Sequence, residues 1–165
     1  MVRYAEGPTV EATVDIAAPP PVVWDLVTDI NLPARFSAEF QGAEWLDGDL
    51  PALEARFKGR NSHAAVGTWE TTCTVIWFEQ ERSFGYAVND PASPAARWRF
   101  NLERSSAGTR LSMWAQMGPG RSGISYFIHK YPDQEEAIVA NRLQEWRSNM
   151  EATVAGIKKL SEPAG

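Results

Sequence analysis

Two periods run through this chain. Val10-Glu11-Ala12-Thr13-Val14-Asp15-Ile16 alternates apolar and polar residues, and similar alternation returns repeatedly as far as residue 117. A period of two lines one face of a strand, whereas a period near 3.6 lines one stripe of a helix. The second period appears at 133–161, where Ile138, Val139, Leu143, Trp146, Met150, Val154, Ile157 and Leu160 recur every three or four positions. A helix of about 29 residues would run about 43 Å, longer than a small domain needs to close its core. A stripe of that length calls for a broad apolar partner, and the strands written earlier are the candidate.

Ala17-Ala18-Pro19-Pro20-Pro21 ends the first strand, and proline is tolerated in a first helical turn. Residues 22–28 then read as a short helix with Val23, Trp24, Leu26 and Val27 on or near its buried face. Asn31-Leu32-Pro33-Ala34-Arg35-Phe36 reads as a second, capped by Asn31 or Asp29. Six strands follow at 41–46, 53–61, 68–78, 83–88, 97–103 and 109–117. Asp47-Gly48 between the first two is a hairpin signal, and the other short gaps favour antiparallel pairing over parallel crossovers. Gly118-Pro119-Gly120-Arg121-Ser122-Gly123, followed by Ile124-Ser125-Tyr126-Phe127-Ile128, reads as a mobile connection or pocket lid. The last helix is expected to open with Asp133 as N-cap and Glu136 three residues on, an acidic first turn that suits the helix dipole. The order is strand, two short helices, six strands, long helix: an α+β chain of seven antiparallel strands. A long helix laid across a curved sheet leaves an elongated cavity between them.

Composition narrows the function more than the fold. The 165 residues suit one domain, expected over 1–165 with its core at about 8–162. Net charge is −5 without a basic block, so no nucleic-acid partner is expected. No apolar run approaches membrane-spanning length and the N-terminus lacks an apolar leader, so neither membrane insertion nor secretion is expected. The single cysteine, Cys73, fits a reducing cytoplasm.

Certain phrases carry a family likeness across about residues 8–162. They are Val14-Asp15-Ile16-Ala17-Ala18-Pro19 followed by Val22-Val23-Trp24-Asp25, and Ala55-Arg56-Phe57-Lys58-Gly59-Arg60-Asn61. Trp69-Glu70-Thr71-Thr72-Cys73-Thr74-Val75 and Ala96-Arg97-Trp98-Arg99-Phe100-Asn101-Leu102-Glu103 extend it. With this order of elements, the chain resembles the START and birch-pollen-allergen (SRPBCC) superfamily, within it the bacterial polyketide cyclase/dehydrase-like members. The resemblance implies a helix-grip fold and a deep apolar pocket, with ligands that range over lipids, sterols, polyketides, hormones and quinones. It implies no common catalytic set, and a fold by itself does not decide function.

Strand parity proposes the pocket lining. Glu54, Arg56, Lys58 and Arg60 share an outer face, which turns Ala55, Phe57, Gly59 and Asn61 inward. Glu70 likewise turns Trp69, Thr71, Cys73 and Val75 inward, unless a bulge flips the parity. Phe84, Tyr86 and Val88 follow, then Trp98, Phe100 and Leu102, then Leu111, Met113, Ala115 and Met117. The expected ligand contacts are Phe36, Phe57, Asn61, Trp69, Thr71 and Cys73, with Tyr86, Trp98, Phe100, Met113, Trp146 and Met150. Each aromatic among them also reads as core. Asn61, Thr71, Cys73 and Tyr86 need a partner if buried, since an unsatisfied polar group costs about 1–3 kcal/mol. Cys73, without a basic neighbour in sequence, reads as an inert small hydrophobe.

Catalytic patterns are sparse. His63 and His129 lie on different loops, no spacing matches a metal site, and there is no nucleophile elbow, phosphate loop or dinucleotide fingerprint. Neither metal nor cofactor is expected. Glu39, Tyr86, His129 and Tyr131 are the titratable residues placed to reach the cavity or its mouth, Glu39 because its segment borders the entrance in the resembled class. Three readings remain: a carrier or sensor of an apolar small molecule, a cyclase or dehydratase that works largely by shaping its substrate, and a module that dimerises through an exposed Trp114 face. Arg97 and Arg99, on that outer face, are expected to be solvated.

Overall fold

The computed structural model describes residues 2–163. After a 3₁₀ turn at Tyr4–Glu6 the elements are β1 Thr9–Ile16, α1 Pro20–Val27, a 3₁₀ turn at Leu32–Arg35, β2 Phe40–Trp45, β3 Arg56–His63 and β4 Gly67–Glu79. Then come β5 Ser83–Val88, β6 Ala96–Ser105, β7 Gly108–Met117, α2 Gly123–Lys130, a 3₁₀ turn at Pro132–Gln134 and α3 Glu135–Ser161. The seven strands form one antiparallel, curved sheet in the order β1-β7-β6-β5-β4-β3-β2. Six are a simple meander, and β1 joins at the far edge by pairing with β7, with Val14 opposite Leu111 and Ala12 opposite Met113.

Pro20 and Pro21 sit in the first turn of α1, which buries Val23, Trp24 and Val27. Trp24 meets the Phe78 ring edge-on at 5.7 Å, pinning α1 to the sheet. α3 lies across the concave face with Val139, Trp146, Met150, Val154 and Ile157 buried. Fully burying a side chain of this size contributes about 1.5–3 kcal/mol, so a stripe of five anchors a helix whose surface is otherwise polar. The backbone comes closest at Gly156: a Cβ there would stand 2.3 Å from the Phe36 ring. No helix among the described residues is long and apolar enough to cross a membrane.

Several expectations need correction. The segment after β7 is helical over Gly123–Lys130, capped by Ser122, whose hydroxyl accepts from the Ser125 N–H at 3.1 Å. Asp133 does not cap α3; it lies in the 3₁₀ turn, and the N-cap is Gln134 without a side-chain bond. The stripe also ends early, because Leu160 is exposed. The β2–β3 connection is longer than a tight hairpin, since β3 starts at Arg56 and Leu53 stands in solvent.

A register shift between Val75 and Trp77 reverses the parity of β4. Trp77 therefore faces out, where it meets Trp114 at 5.9 Å, while Phe78 faces the core. Trp77 lies over Gly85, where a Cβ would be 2.7 Å from its ring. The Arg99 guanidinium lies against both indoles, 4.8 Å from Trp77 and 4.9 Å from Trp114. Arg97 stacks on the same pair and donates to the Gln116 side-chain oxygen. Neither arginine is freely solvated, and Trp114 is half-buried rather than exposed, because cation–π stacking and the indoles shield one another.

Candidate functional site

A cavity of about 700 Å³ opens at one end of the sheet, between the β3–β4 hairpin, α2 and the N-terminal half of α3. Its walls are aromatic and aliphatic. Trp69 comes from β4, Val88 from β5, Trp98 from β6 and Met117 from β7, while α2 contributes Ile124 and Phe127 and α3 contributes Ile138 and Trp146. The Trp98 and Trp146 rings lie 4.8 Å apart and tilted by 47°, a contact that bridges sheet and helix. α2 has apolar residues at 124, 127 and 128 yet buries none of its side chains fully, because that face looks onto open space.

Of the expected ligand contacts, Asn61, Trp69, Thr71, Trp98 and Trp146 border the cavity. Phe57, Cys73, Phe100, Met113 and Met150 do not; they are buried in the core deeper between sheet and helix. Phe57 meets Trp45 at 5.5 Å and Tyr86 at 4.9 Å, both edge-on. Phe36 lies under α3 against Gly156. Parity identified the inward face correctly but could not tell where along that face packing stops. Interdigitated aromatics fill one end, and the void lies at the other, where α2 and the N-terminal half of α3 stand off the sheet.

Among the polar inward residues, burial pushes the Cys73 thiol up to about 12, against an opposing contact from the Thr71 hydroxyl, 3.8 Å from its sulfur. Burial likewise raises the Tyr86 phenol well above its ordinary value, with Cys73 adding to the effect. Neither group ionises near neutral pH.

The rim is charged, and it was the part least visible in sequence. Glu39 follows a turn in which the Ser37 hydroxyl accepts from the Glu39 and Phe40 N–H groups at 3.1 Å. The turn is fixed to α3 by the Ala38 N–H donating to Asn149 Oδ1 at 3.1 Å. Glu39 thereby meets Arg142 of α3: Nη1 donates to Oε2 at 2.7 Å and Nη2 to Oε1. Both side chains are about one-seventh exposed, at 14% and 15%. Burial works against the Arg142 charge, but the bonds and attraction to Glu39, with a further contribution from Glu145, hold its pKa above the ordinary value.

His63 ends β3 rather than standing on a free loop. Its Nδ1 accepts from the Ala65 N–H at 3.0 Å, which leaves Nε2 to donate to Glu145 Oε2 at 2.5 Å. Both ring nitrogens are therefore occupied in the neutral tautomer. Glu145 Oε1 lies 3.6 Å from Arg142 Nη1, so Glu39, Arg142, Glu145 and His63 form one chain around the mouth. Tyr131 stands on the rim and is exposed, whereas His129 is exposed and does not border the cavity. Among the described residues no group of His, Cys, Asp or Glu is arranged to hold a metal ion.

Residues 7–161 match the protein family described as polyketide cyclase / dehydrase and lipid transport. No protein with a curated description matches the sequence significantly. Among solved structures, the polyketide-cyclase-like protein of Corynebacterium glutamicum superposes with a TM-score of 0.67 at 29% identity, over 92% of this chain and 90% of that one. The major latex-like protein 151 of Panax ginseng superposes with a TM-score of 0.63 at 8% identity, over 94% and 98%. A protein of Thermus thermophilus gives 0.64 at 15% identity, over 93% and 97%. The two more distant likenesses speak to the helix-grip fold alone.

Proposed function

This chain belongs to the polyketide cyclase / dehydrase and lipid transport family, and from that premise we propose that it binds an apolar small molecule of lipid-, polyketide- or aromatic-like character, as a carrier or sensor. The observation that carries the reading is the aromatic-walled cavity of about 700 Å³. That volume falls within the range of about 300–1,000 Å³ typical of small-molecule sites. Trp69, Trp98 and Trp146 would grip a flat or flexible apolar body. Asn61 and Thr71, two register positions apart on the paired strands β3 and β4, would fix its orientation through hydrogen bonds. A buried, unreactive thiol as the sole cysteine suits a cytoplasmic setting.

The alternative is a cyclase or dehydratase acting on a ligand held in the same space. Such an enzyme needs a free acid or base within reach of the substrate. Two of the rim groups are committed elsewhere, Glu39 to Arg142 and both nitrogens of His63 to Glu145 and Ala65, which leaves Tyr131 and Glu145 as the acid–base candidates. That commitment favours the carrier reading over the enzyme.

The test is uptake of N-phenyl-1-naphthylamine, a neutral dye that brightens in apolar surroundings, together with native mass spectrometry of freshly purified protein. Saturable dye uptake with parallel quenching of tryptophan emission is expected, and Trp98→Ala should weaken both. Absence of uptake and of any co-purifying ligand would overturn the proposal. Turnover of a polyketide-like substrate, lost on replacing Tyr131, would favour the enzyme.

A further inference from the structure

We propose that the cavity is selective by charge: it admits neutral and amine-bearing ligands and rejects carboxylates and sulfonates of the same shape. The inference rests on the ligand-binding reading above and adds the chemical class of the ligand's polar end. Among the described residues that line the cavity, Arg142 is the sole lysine or arginine. Its two terminal nitrogens each donate to one oxygen of Glu39, so its charge is already paired with a carboxylate. Its guanidinium also stacks over the Trp146 ring, 5.8 Å from the centroid, so it has little freedom to turn toward a ligand.

The remaining charges on the rim are negative. Glu145 meets His63 through Oε2, while its Oε1 lies 3.6 Å from Arg142 and its side chain is 43% exposed. Both ring nitrogens of His63 are engaged, Nδ1 by the Ala65 N–H and Nε2 by Glu145. Glu70 also borders the cavity, and its carboxylate lies 3.3 Å from Lys58, which is not among the lining residues. Glu39, Glu145 and Arg142 together carry two negative charges and one positive, a net of −1 at the mouth.

A carboxylate entering an apolar space of this kind loses its hydration and must find a cation there. It meets none that is unspent. To take Arg142 it would have to leave Glu39 buried without a partner, which exchanges one unpaired anion for another. An ammonium group faces the opposite situation, since Glu145 has an oxygen still accessible. A neutral carbonyl, hydroxyl or amide has Asn61 and Thr71. Among the described residues Asn61 makes no side-chain hydrogen bond, and the Thr71 hydroxyl has only the weak contact with the Cys73 sulfur. The Glu39–Arg142 pair thus works as a selectivity element that keeps the one available cation occupied.

The experiment uses three probes of one size on the full chain: 2-naphthol, 2-naphthylmethylamine and 2-naphthoate, each displacing N-phenyl-1-naphthylamine at pH 7. The naphthol and the amine are expected to compete, and the naphthoate to bind at least about tenfold more weakly than the naphthol. Glu39→Gln frees the guanidinium, so naphthoate should gain at least about tenfold while naphthol stays within about threefold. Glu145→Gln, at a more exposed position, should weaken the amine relative to the naphthol and serves if the first variant fails to fold. Naphthoate binding as tightly as naphthol to the unaltered protein would overturn the charge selectivity and leave the container reading intact. Failure of every probe, the reporter dye included, would overturn the container reading and this inference with it.

Discussion

Cys73 shows how position, not residue type, decides chemistry. It is 3% exposed, and burial pushes its thiol up to about 12, so at pH 8 only about one molecule in ten thousand carries the thiolate. Ellman's reagent should therefore label it only as fast as the chain opens, and reaction at the rate of a free thiol would contradict the placement. The same displacement has a thermodynamic sign. A group whose pKa is raised by folding supports the folded state below its unfolded value and loses that support as pH rises through the folded value. Stability should accordingly be level through neutrality and decline between about pH 8.5 and about pH 12, with Tyr86 acting in the same direction at its upper end. Denaturant titrations at stepped pH, with Cys73→Ala as control, read this slope. The variant should lose the lower part of the decline.

At the scale of elements, α3 depends on one close approach. An alanine favours a helix over glycine by about 1 kcal/mol, but at Gly156 its Cβ would stand 2.3 Å from the Phe36 ring. Gly156→Ala should destabilise by about 1–2 kcal/mol because overpacking outweighs propensity. In Phe36→Ala the same change should be neutral or stabilising. A coupling below about 0.5 kcal/mol in the double-mutant cycle would count against that contact. This pair also marks the limit of what the sequence discloses. The alternation in Thr9–Ile16 and Gly108–Met117 and the stripe from Val139 to Ile157 were legible because burial repeats many times along each element. α2 was missed because it is eight residues long and buries no side chain fully, although Ser122 and the apolar spacing of Ile124, Phe127 and Ile128 were there to be read. The bulge at Val75 carries no compositional mark. Glu39 and Tyr131 were read at the mouth, but the pairings of the rim were illegible for a different reason: Glu39 and Arg142 are 103 positions apart, and His63 and Glu145 are 82. No local pattern encodes a bond across that distance.

For the whole molecule, an open cavity means apolar surface that folding alone leaves uncovered. The walls forgo the dispersion contacts that a packed core would supply, and an occupant restores them. Binding to the folded state alone contributes RT ln(1 + [L]/Kd), about 2.7 kcal/mol at a hundredfold excess over Kd. For a chain of this length that corresponds to a rise of about 5–10 °C in Tm. N-phenyl-1-naphthylamine should produce such a shift in differential scanning calorimetry, and Trp98→Ala should reduce it. An unchanged Tm at saturating dye would mean that the dye reports on the unfolded chain or on the surface.

Two of the indole pairs also give the protein optical properties of its own. Trp98 and Trp146 lie 4.8 Å apart at an oblique tilt, close enough for their ultraviolet transition dipoles to couple. Coupled chromophores in a chiral arrangement yield a signed circular-dichroism couplet that depends steeply on their separation and mutual angle. A molecule lodging against these rings would change that couplet without any label. The Trp77–Trp114 pair, on the opposite side of the sheet, would contribute a second couplet that occupancy leaves alone. The chain thus carries both an intrinsic gauge of its occupied state and, in the same spectrum, the reference against which to read it.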